Sequence, residues 1–160
     1  MLSTLTYAVR VEVSPDQSRV LSDTCAAYLD CCNMVSKVAW EHKTISQKML
    51  HQLTYRRIRD KYHVGAQMAC SSMNRVIGNY RAIKEVHGSP WATSQPQYHS
   101  SGYDLLWNRD YSILKDGRLS INTLDGRIKV PVDWTHVPEE YRHGKFGTAR
   151  LLNRGGKWLL

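Results

Sequence analysis

The sequence predicts an α+β fold in which a small β-barrel is interrupted by an inserted helical bundle. Three observations predict it. Residues 4–13 alternate apolar and polar with the strand period, and three stretches between residues 15 and 86 repeat apolar residues with the helix period. From Tyr103 onward, short β-prone runs alternate with Gly-containing turns. A strand before the helices and more after them makes the helices an insertion, provided the first strand shares a sheet with the later ones. The last strand begins at Lys157 and stops at Leu160, where about five or six residues is usual. The barrel is therefore expected to be incomplete, with a final edge that nothing covers.

Each element has its own signature. In the first strand Leu5, Tyr7, Val9, Val11 and Val13 share one face, opposite Thr4, Thr6, Arg10 and Glu12, as in a half-buried strand. Ser14-Pro15-Asp16-Gln17 reads as a helix start: Ser14 caps, Pro15 suits the first helical position and Gln17 completes a capping box. That helix runs to about Glu41, with Leu21, Cys25, Tyr28, Cys32, Val35 and Ala39 in one apolar stripe. Thr44 or Ser46 starts a second helix through about Tyr62, with Met49, Leu50, Leu53 and Ile58 inward. A third, about Gly65 to Val86, is expected to bury Ala66, Ala69, Cys70, Met73, Val76, Ile77, Tyr80 and Ile83. Three such stripes pack as a bundle. Residues 87–102, rich in Ser, Pro, Gln and Gly, read as a linker. Turns follow at Lys115-Asp116-Gly117, Leu124-Asp125-Gly126 and Asn153-Arg154-Gly155-Gly156. Residues 133–145 read as a polar loop with one helical turn after Pro138.

Length and composition narrow the function. At 160 residues and 42% hydrophobic, the chain suits one domain or two small lobes and excludes wholesale disorder. A net charge of +8 favours a polyanionic partner. Both halves share it: residues 1–90 carry 12 Lys/Arg against 7 Asp/Glu, and residues 91–160 carry 10 against 7. Cys25, Cys31, Cys32 and Cys70 form no C-x-x-C pair and three lie on one predicted helix. They read as small buried hydrophobes in a reducing compartment rather than as a disulfide framework or a zinc site. Without a membrane-length apolar run or a signal-peptide pattern, the expectation is a soluble cytoplasmic protein.

The features that carry chemistry are basic ones. Tyr55-Arg56-Arg57-Ile58-Arg59-Asp60-Lys61 sets four cations on a helix surface, where they neutralise phosphates or simply face solvent. Arg75, Arg81 and Lys84 on the next helix extend that surface. A second set, Arg142, His143, Lys145, Arg150, Arg154 and Lys157, is interleaved with Trp107, Tyr111, Tyr141 and Trp158. Aromatics among cations on a barrel stack bases. Trp in a small barrel is more often core, so one or two of them at most are expected to touch nucleic acid. Catalytic signals are poor. Asp116 and Asp125 precede turn glycines, Asp104 and Asp110 lack a paired carboxylate, and Asp133 sits in a polar loop. The seven histidines show no metal-ligand spacing, and no P-loop or nucleophile elbow occurs.

Four segments, in order and spacing, resemble one family. Ala8-Val9-Arg10-Val11-Glu12-Val13-Ser14-Pro15-Asp16-Gln17 resembles its "R-(L/I)-x-P-(T/S)-x-x-Q" opening. Gly65-Ala66-Gln67-Met68-Ala69-Cys70 with Arg75-Val76-Ile77-Gly78-Asn79-Tyr80 resembles "(P/S)-x-(Q/A)-x-A-(Q/x)…(L/V)-x-x-A-(Y/F)". Gly117-Arg118-Leu119-Ser120-Ile121 with Gly126-Arg127-Ile128-Lys129-Val130 resembles "G-(R/K)-L-x-(I/L)…G-(R/K/W)-I-K-V". Thr148 through Gly156-Lys157-Trp158 resembles the "G-K-W" segment that follows. The family is OrfB/TnpB, the compact RNA-guided nucleases of insertion sequences related to type V CRISPR effectors.

The resemblance implies an OB-like, wedge-type barrel: residues 1–14 its first strand, 15–88 an inserted helical recognition lobe, and 89–160 the remaining strands. The family's RuvC-like carboxylates and Cys-x-x-Cys zinc ribbon fall beyond Leu160. No catalytic residue and no cofactor is therefore expected here, and Mg and Zn only in a full-length member. The implied partners are a guide RNA, double-stranded DNA carrying a short target-adjacent motif, and a separate or missing C-terminal nuclease domain, with no membrane. Ile45, Met49, Gln67, Cys70, Asn108 and Arg109 align with positions facing the DNA motif. Gln67 also fits an ordinary helix-surface glutamine and Asn108 a turn residue. The backbone contacts expected are Arg56, Arg57, Arg59, Lys61, Arg75, Arg81, Lys145, Arg150, Arg154 and Lys157. Two departures stand out. Gln97-Tyr98-His99-Ser100-Ser101 replaces a Lys-rich segment, and Cys70 stands where a polar residue is frequent, which implies an altered motif preference or weaker duplex binding. Two further readings are a stand-alone helix-turn-helix regulator and a non-catalytic partner that docks onto a separate nuclease chain through its open final strand.

Overall fold

Ser14 and Gln17 fix where the first helix begins. In the computed structural model, which describes residues 4–99 and 102–160, the Gln17 amide donates to Ser14 Oγ (3.1 Å) and the Ser14 amide to Gln17 Oε1 (3.0 Å). This reciprocal cap satisfies two end donors of α1 (Pro15–His42). The chain is mixed α+β, with four helices and two antiparallel sheets and no closed barrel among the described residues. It divides into two compact units, Met1–Ser22 with Gly102–Leu160, and Asp23–Ser101.

The β unit holds β1 (Arg10–Val11), β2 (Gly102–Leu105), β3 (Tyr111–Ile113), β4 (Leu119–Thr123), β5 (Gly126–Val130), β6 (Ala149–Arg154) and β7 (Lys157–Leu159). One sheet runs β1-β7-β6-β2, the other β3-β4-β5. Between them, Val11 bridges Val132, the Glu12 amide donates to Pro131 O (2.9 Å) and the Asp133 amide to Arg10 O (3.0 Å). Val11, Tyr103, Leu105, Leu119, Ile121, Val130, Leu151 and Trp158 are buried here.

Two expectations for this unit are corrected. The first strand is not ten residues long: only Arg10–Val11 is strand, Leu5 is 54% exposed and Tyr7 38%. Alternation makes a strand only where a neighbour supplies ladder partners, and the partners begin at Val9. Nor does β7 present an open edge. It lies between β1 and β6, and Val9 and Leu160 exchange both backbone hydrogen bonds at 2.9 Å. The N-terminal strand β1 covers that edge, so docking through an open final strand loses its premise.

The helical unit contains most of α1, then α2 (Gln47–Tyr62) and α3 (Ala66–His87). The predicted α1 stripe is buried throughout. In α2 the buried line is Leu50, Thr54 and Ile58, while Met49 is 45% exposed rather than inward. The i, i+4 line through Leu50 decides this, and Thr54 joins it because its hydroxyl is satisfied by Leu50 O. In α3, Ala66 is exposed and Cys70 and Ile83 are half-buried, with Met68 and Ser72 buried instead. Cys25, Cys31 and Cys32 are buried free thiols, and burial, then the neighbouring Cys32 and Asp30, pushes the Cys31 thiol up to about 12.

Residues 88–99, read as a linker, are pinned to the helices. Ser36 Oγ donates to Pro96 O (2.7 Å), Asn79 Nδ2 to the Tyr98 hydroxyl (3.0 Å), and Trp91 packs on Tyr80 (5.2 Å) and edge-on to Trp40 (6.0 Å). Ser100 and Ser101 of the departed Lys-rich segment lie outside the described residues. The short helix α4 (Glu139–Arg142) follows Pro138 in the β unit. No described helix is long and apolar enough to cross a membrane.

Candidate nucleic-acid interface

Helix α2 sorts its basic run onto two flanks. Lys48, Gln52, Tyr55 and Arg59 follow at three- and four-residue steps and so share one face, which Arg56 borders, whereas Arg57 falls on the flank opposite Arg59. On the shared face, the Tyr55 ring stacks on His51 (4.4 Å, 14°) and Arg59 Nη1 donates to the Tyr55 hydroxyl (3.0 Å). Tyr55, Arg56, Arg59, Asp60, His63 and Val64 line an open basin of about 460 Å³. Among the described residues, Arg56, Arg57, Arg59 and Lys61 are exposed and none has an ion-pair partner. The cations of this helix outnumber its single carboxylate, Asp60, and an anionic ligand would lessen the repulsion between neighbours such as Arg56 and Arg59.

Arg75 and Arg81 do not extend a single face of α3, since six residues set them about a third of a turn apart. Arg75 is half-buried with its guanidinium 5.9 Å from the Tyr98 ring, and Arg81 is exposed. Of the motif-aligned residues in this unit, Met49 is exposed with its sulfur 3.6 Å from the Thr44 hydroxyl. Ile45 and Cys70 are half-buried. Gln67 is half-buried and its Nε2 donates to Ser71 Oγ (3.3 Å) along its own helix.

In the β unit the second basic set separates by duty. Arg150 pairs with Asp104 (3.0 Å), and Arg142 donates to Val137 O (3.1 Å) and Trp134 O (2.9 Å), so both hold the fold. Lys145, Arg154 and Lys157 are exposed. Arg154 and Lys157 are direct cross-strand partners on either side of Gly155-Gly156, whose φ of 58° and 83° suit a tight hairpin turn. Like charges placed opposite one another cost a little stability, so this pair adds nothing to the hairpin's own pairing. The aromatics divide too. Trp158 is core, with its indole N–H on Ser18 Oγ (3.0 Å), and Tyr111 is buried. Trp107 packs on Tyr111 and Phe146, and Tyr141 is 42% exposed beside Tyr7 (6.0 Å).

Asn108 and Arg109 occupy the turn between β2 and β3, both exposed, with Asn108 at φ 66°. The Asn108 amide donates to Tyr111 O (2.8 Å) and the Asn122 amide to Asp110 O (2.7 Å). Asp110 is buried; its carboxylate accepts the Leu106 amide (2.8 Å). Burial raises its pKa, and that hydrogen bond works against the rise. Sequence reasoning passed over Arg127, which reaches diagonally across the β4–β5 hairpin to Ser120 Oγ (2.9 Å) and on to Arg109 O (2.9 Å). Its place in a Gly-Arg-Ile-Lys-Val strand carried no hint of that reach. Two further carboxylates serve local structure: Asp116 bonds Arg118 and Asp133 bonds Thr135. Among the described residues no His/Cys/Asp/Glu group is placed to hold a metal ion. A comparison with protein-family models and with curated proteins returns no match.

Proposed function

We propose that this chain is a nucleic-acid-binding module of the kind found at the N-terminus of OrfB/TnpB-type RNA-guided nucleases. In this reading it binds a guide-like RNA and a short duplex motif, and its β unit is a variant of the OB-like, wedge-type fold. The observation that carries it is the exposed face of α2, where Arg56 and Arg59, neither of them in an ion pair, lie beside the Tyr55–His51 stack. The like-charged Arg154–Lys157 tip supports it from the other unit. Cations track phosphates and release counterions, while flat rings accept bases. Asn108 and Arg109 supply the edge contacts, because an amide pairs with adenine and a guanidinium with guanine. Phosphodiester hydrolysis belongs to a catalytic domain on another segment or chain.

The test is to purify the chain, sequence the RNA it carries, and measure binding across a salt series. The expected result is a structured RNA held with a steep salt dependence, the slope falling by roughly 0.7–0.9 for each cation removed from the α2 face. Absence of any polyanion binding at low salt would sink the reading. A second reading is favoured by the four-residue connection Lys43–Ser46 between α1 and α2, the length of a helix-turn-helix corner. It predicts tight duplex binding without RNA and dimers on paired half-sites.

A further inference from the structure

We propose that Arg127 is the positioning residue that sets the 106–110 turn for reading bases, an inference that rests on the duplex-motif reading above. The side chain spends its donors on the protein: Nε on Ser120 Oγ (2.9 Å), Nη2 on Ser120 O (3.4 Å) and Nη1 on Arg109 O (2.9 Å). With three of its five N–H donors so engaged, the exposed guanidinium serves in this proposal as a brace rather than as a phosphate contact. Its rigid fork spans two strands and one turn at once, which a lysine ammonium on a flexible stem does not reproduce. The same turn is tied at three further points, by Asp110 to the Leu106 amide, by Asp110 O to the Asn122 amide, and by Tyr111 O to the Asn108 amide. Tyr103 holds the far side through its hydroxyl on Asn122 O (3.0 Å). Four contacts on a five-residue turn, three of them from the sheet strands, fix the backbone that carries two adjacent exposed side chains. Base reading needs this: a bidentate pair discriminates only when both donors arrive at fixed distance and angle. The ligand class that follows is duplex DNA with adjoining adenine and guanine edges, read by Asn108 and Arg109.

The experiment is selection of a duplex library with a randomised window by the chain as purified, repeated for Arg127→Lys, Ser120→Ala and Asn108→Gly. Asn108→Gly removes the amide and keeps the positive φ. The wild type is expected to enrich a short motif, with Asn108→Gly losing preference at one position. Arg127→Lys is expected to lose discrimination at least fivefold while its affinity for unselected duplex stays within about twofold and its salt slope is unchanged. Ser120→Ala, which removes one acceptor only, is expected to fall between and covers the case in which Arg127→Lys fails to fold. Retained discrimination in either variant overturns the proposal, as does a salt slope lower by about one unit in Arg127→Gln, which removes the charge and so reads a direct phosphate contact. No enrichment by the wild type overturns the base-reading turn and the motif reading together.

Discussion

Asn33 makes both backbone hydrogen bonds of Tyr98: its Oδ1 accepts the Tyr98 amide at 2.8 Å and its Nδ2 donates to the Tyr98 carbonyl at 3.2 Å. One side-chain amide thus plays the part of a neighbouring strand for a segment that has none. Asn33→Ala leaves both groups of Tyr98 unpaired and is expected to cost about 1–3 kcal/mol in urea unfolding. Limited proteolysis should then cut first within residues 88–99. Asn33→Asp keeps the acceptor and should fall between; equal stability of all three proteins would remove Asn33 from this role.

Tyr98 also sets an alkaline limit. Burial pushes its hydroxyl up to about 12, against the hydrogen bond from Asn79, which lowers it. The unfolded chain ionises near pH 10, so the folded state holds its proton longer. Stability tied to this group is complete below about pH 10 and is lost as pH rises from there towards 12. Urea midpoints measured at pH 8, 10 and 11 should fall across the last two, and Tyr98→Phe should flatten that fall. An unchanged slope in the phenylalanine variant would assign the loss to other groups.

The Arg154–Lys157 tip predicts opposite effects on stability and binding. Lys157→Glu turns a repulsive cross-strand pair into an attractive one and is expected to add roughly 0.2–0.5 kcal/mol after solvent screening. The same change should weaken RNA binding severalfold at low salt and lessen its salt dependence. A variant that is both more stable and equally avid would show that the tip lies off the binding path.

At Gly102 the sheet tolerates no side chain. A Cβ there would collide with the backbone oxygen of Leu151 and lie 2.7 Å from Leu152 Cδ2. Gly102→Ala must push β2 from β6 and is expected to destabilise by about 1–3 kcal/mol. Thermal unfolding reads this directly, and an unshifted midpoint would mean the strands separate there without cost.

How far the chain could be read ahead of its structure depended on whether the determining interaction was local. The Ser14–Gln17 cap and the α1 stripe are local, and both stand as the pattern predicts. Tyr7 was assigned to a buried face because alternation describes a strand without saying where its partner ends. Residues 88–99 have the composition of a free loop, yet Asn33, Ser36 and Asn79 hold them, and only Trp91 and Tyr98 inside a polar stretch hinted at anchoring. Among the cations, sequence offers no means of telling Arg150, neutralised by Asp104, from Arg154, which faces a lysine. Asn108 and Arg109 were visible as residue types; the bond from Arg127 to Arg109 O depends on a diagonal across a hairpin and was not.

Pairing of Arg10 with Leu159 and Val11 with Trp158 joins positions nearly 150 residues apart. During synthesis from the N-terminus, residues 23–99, which bond among themselves through Asn33, Ser36 and Asn79, emerge as a continuous stretch before Trp158 is made. β1 must wait, unpaired on its β7 side, until Trp158 has been made. Topology therefore favours formation of the helices before this sheet, whose β1–β7 pairing closes a long-range loop.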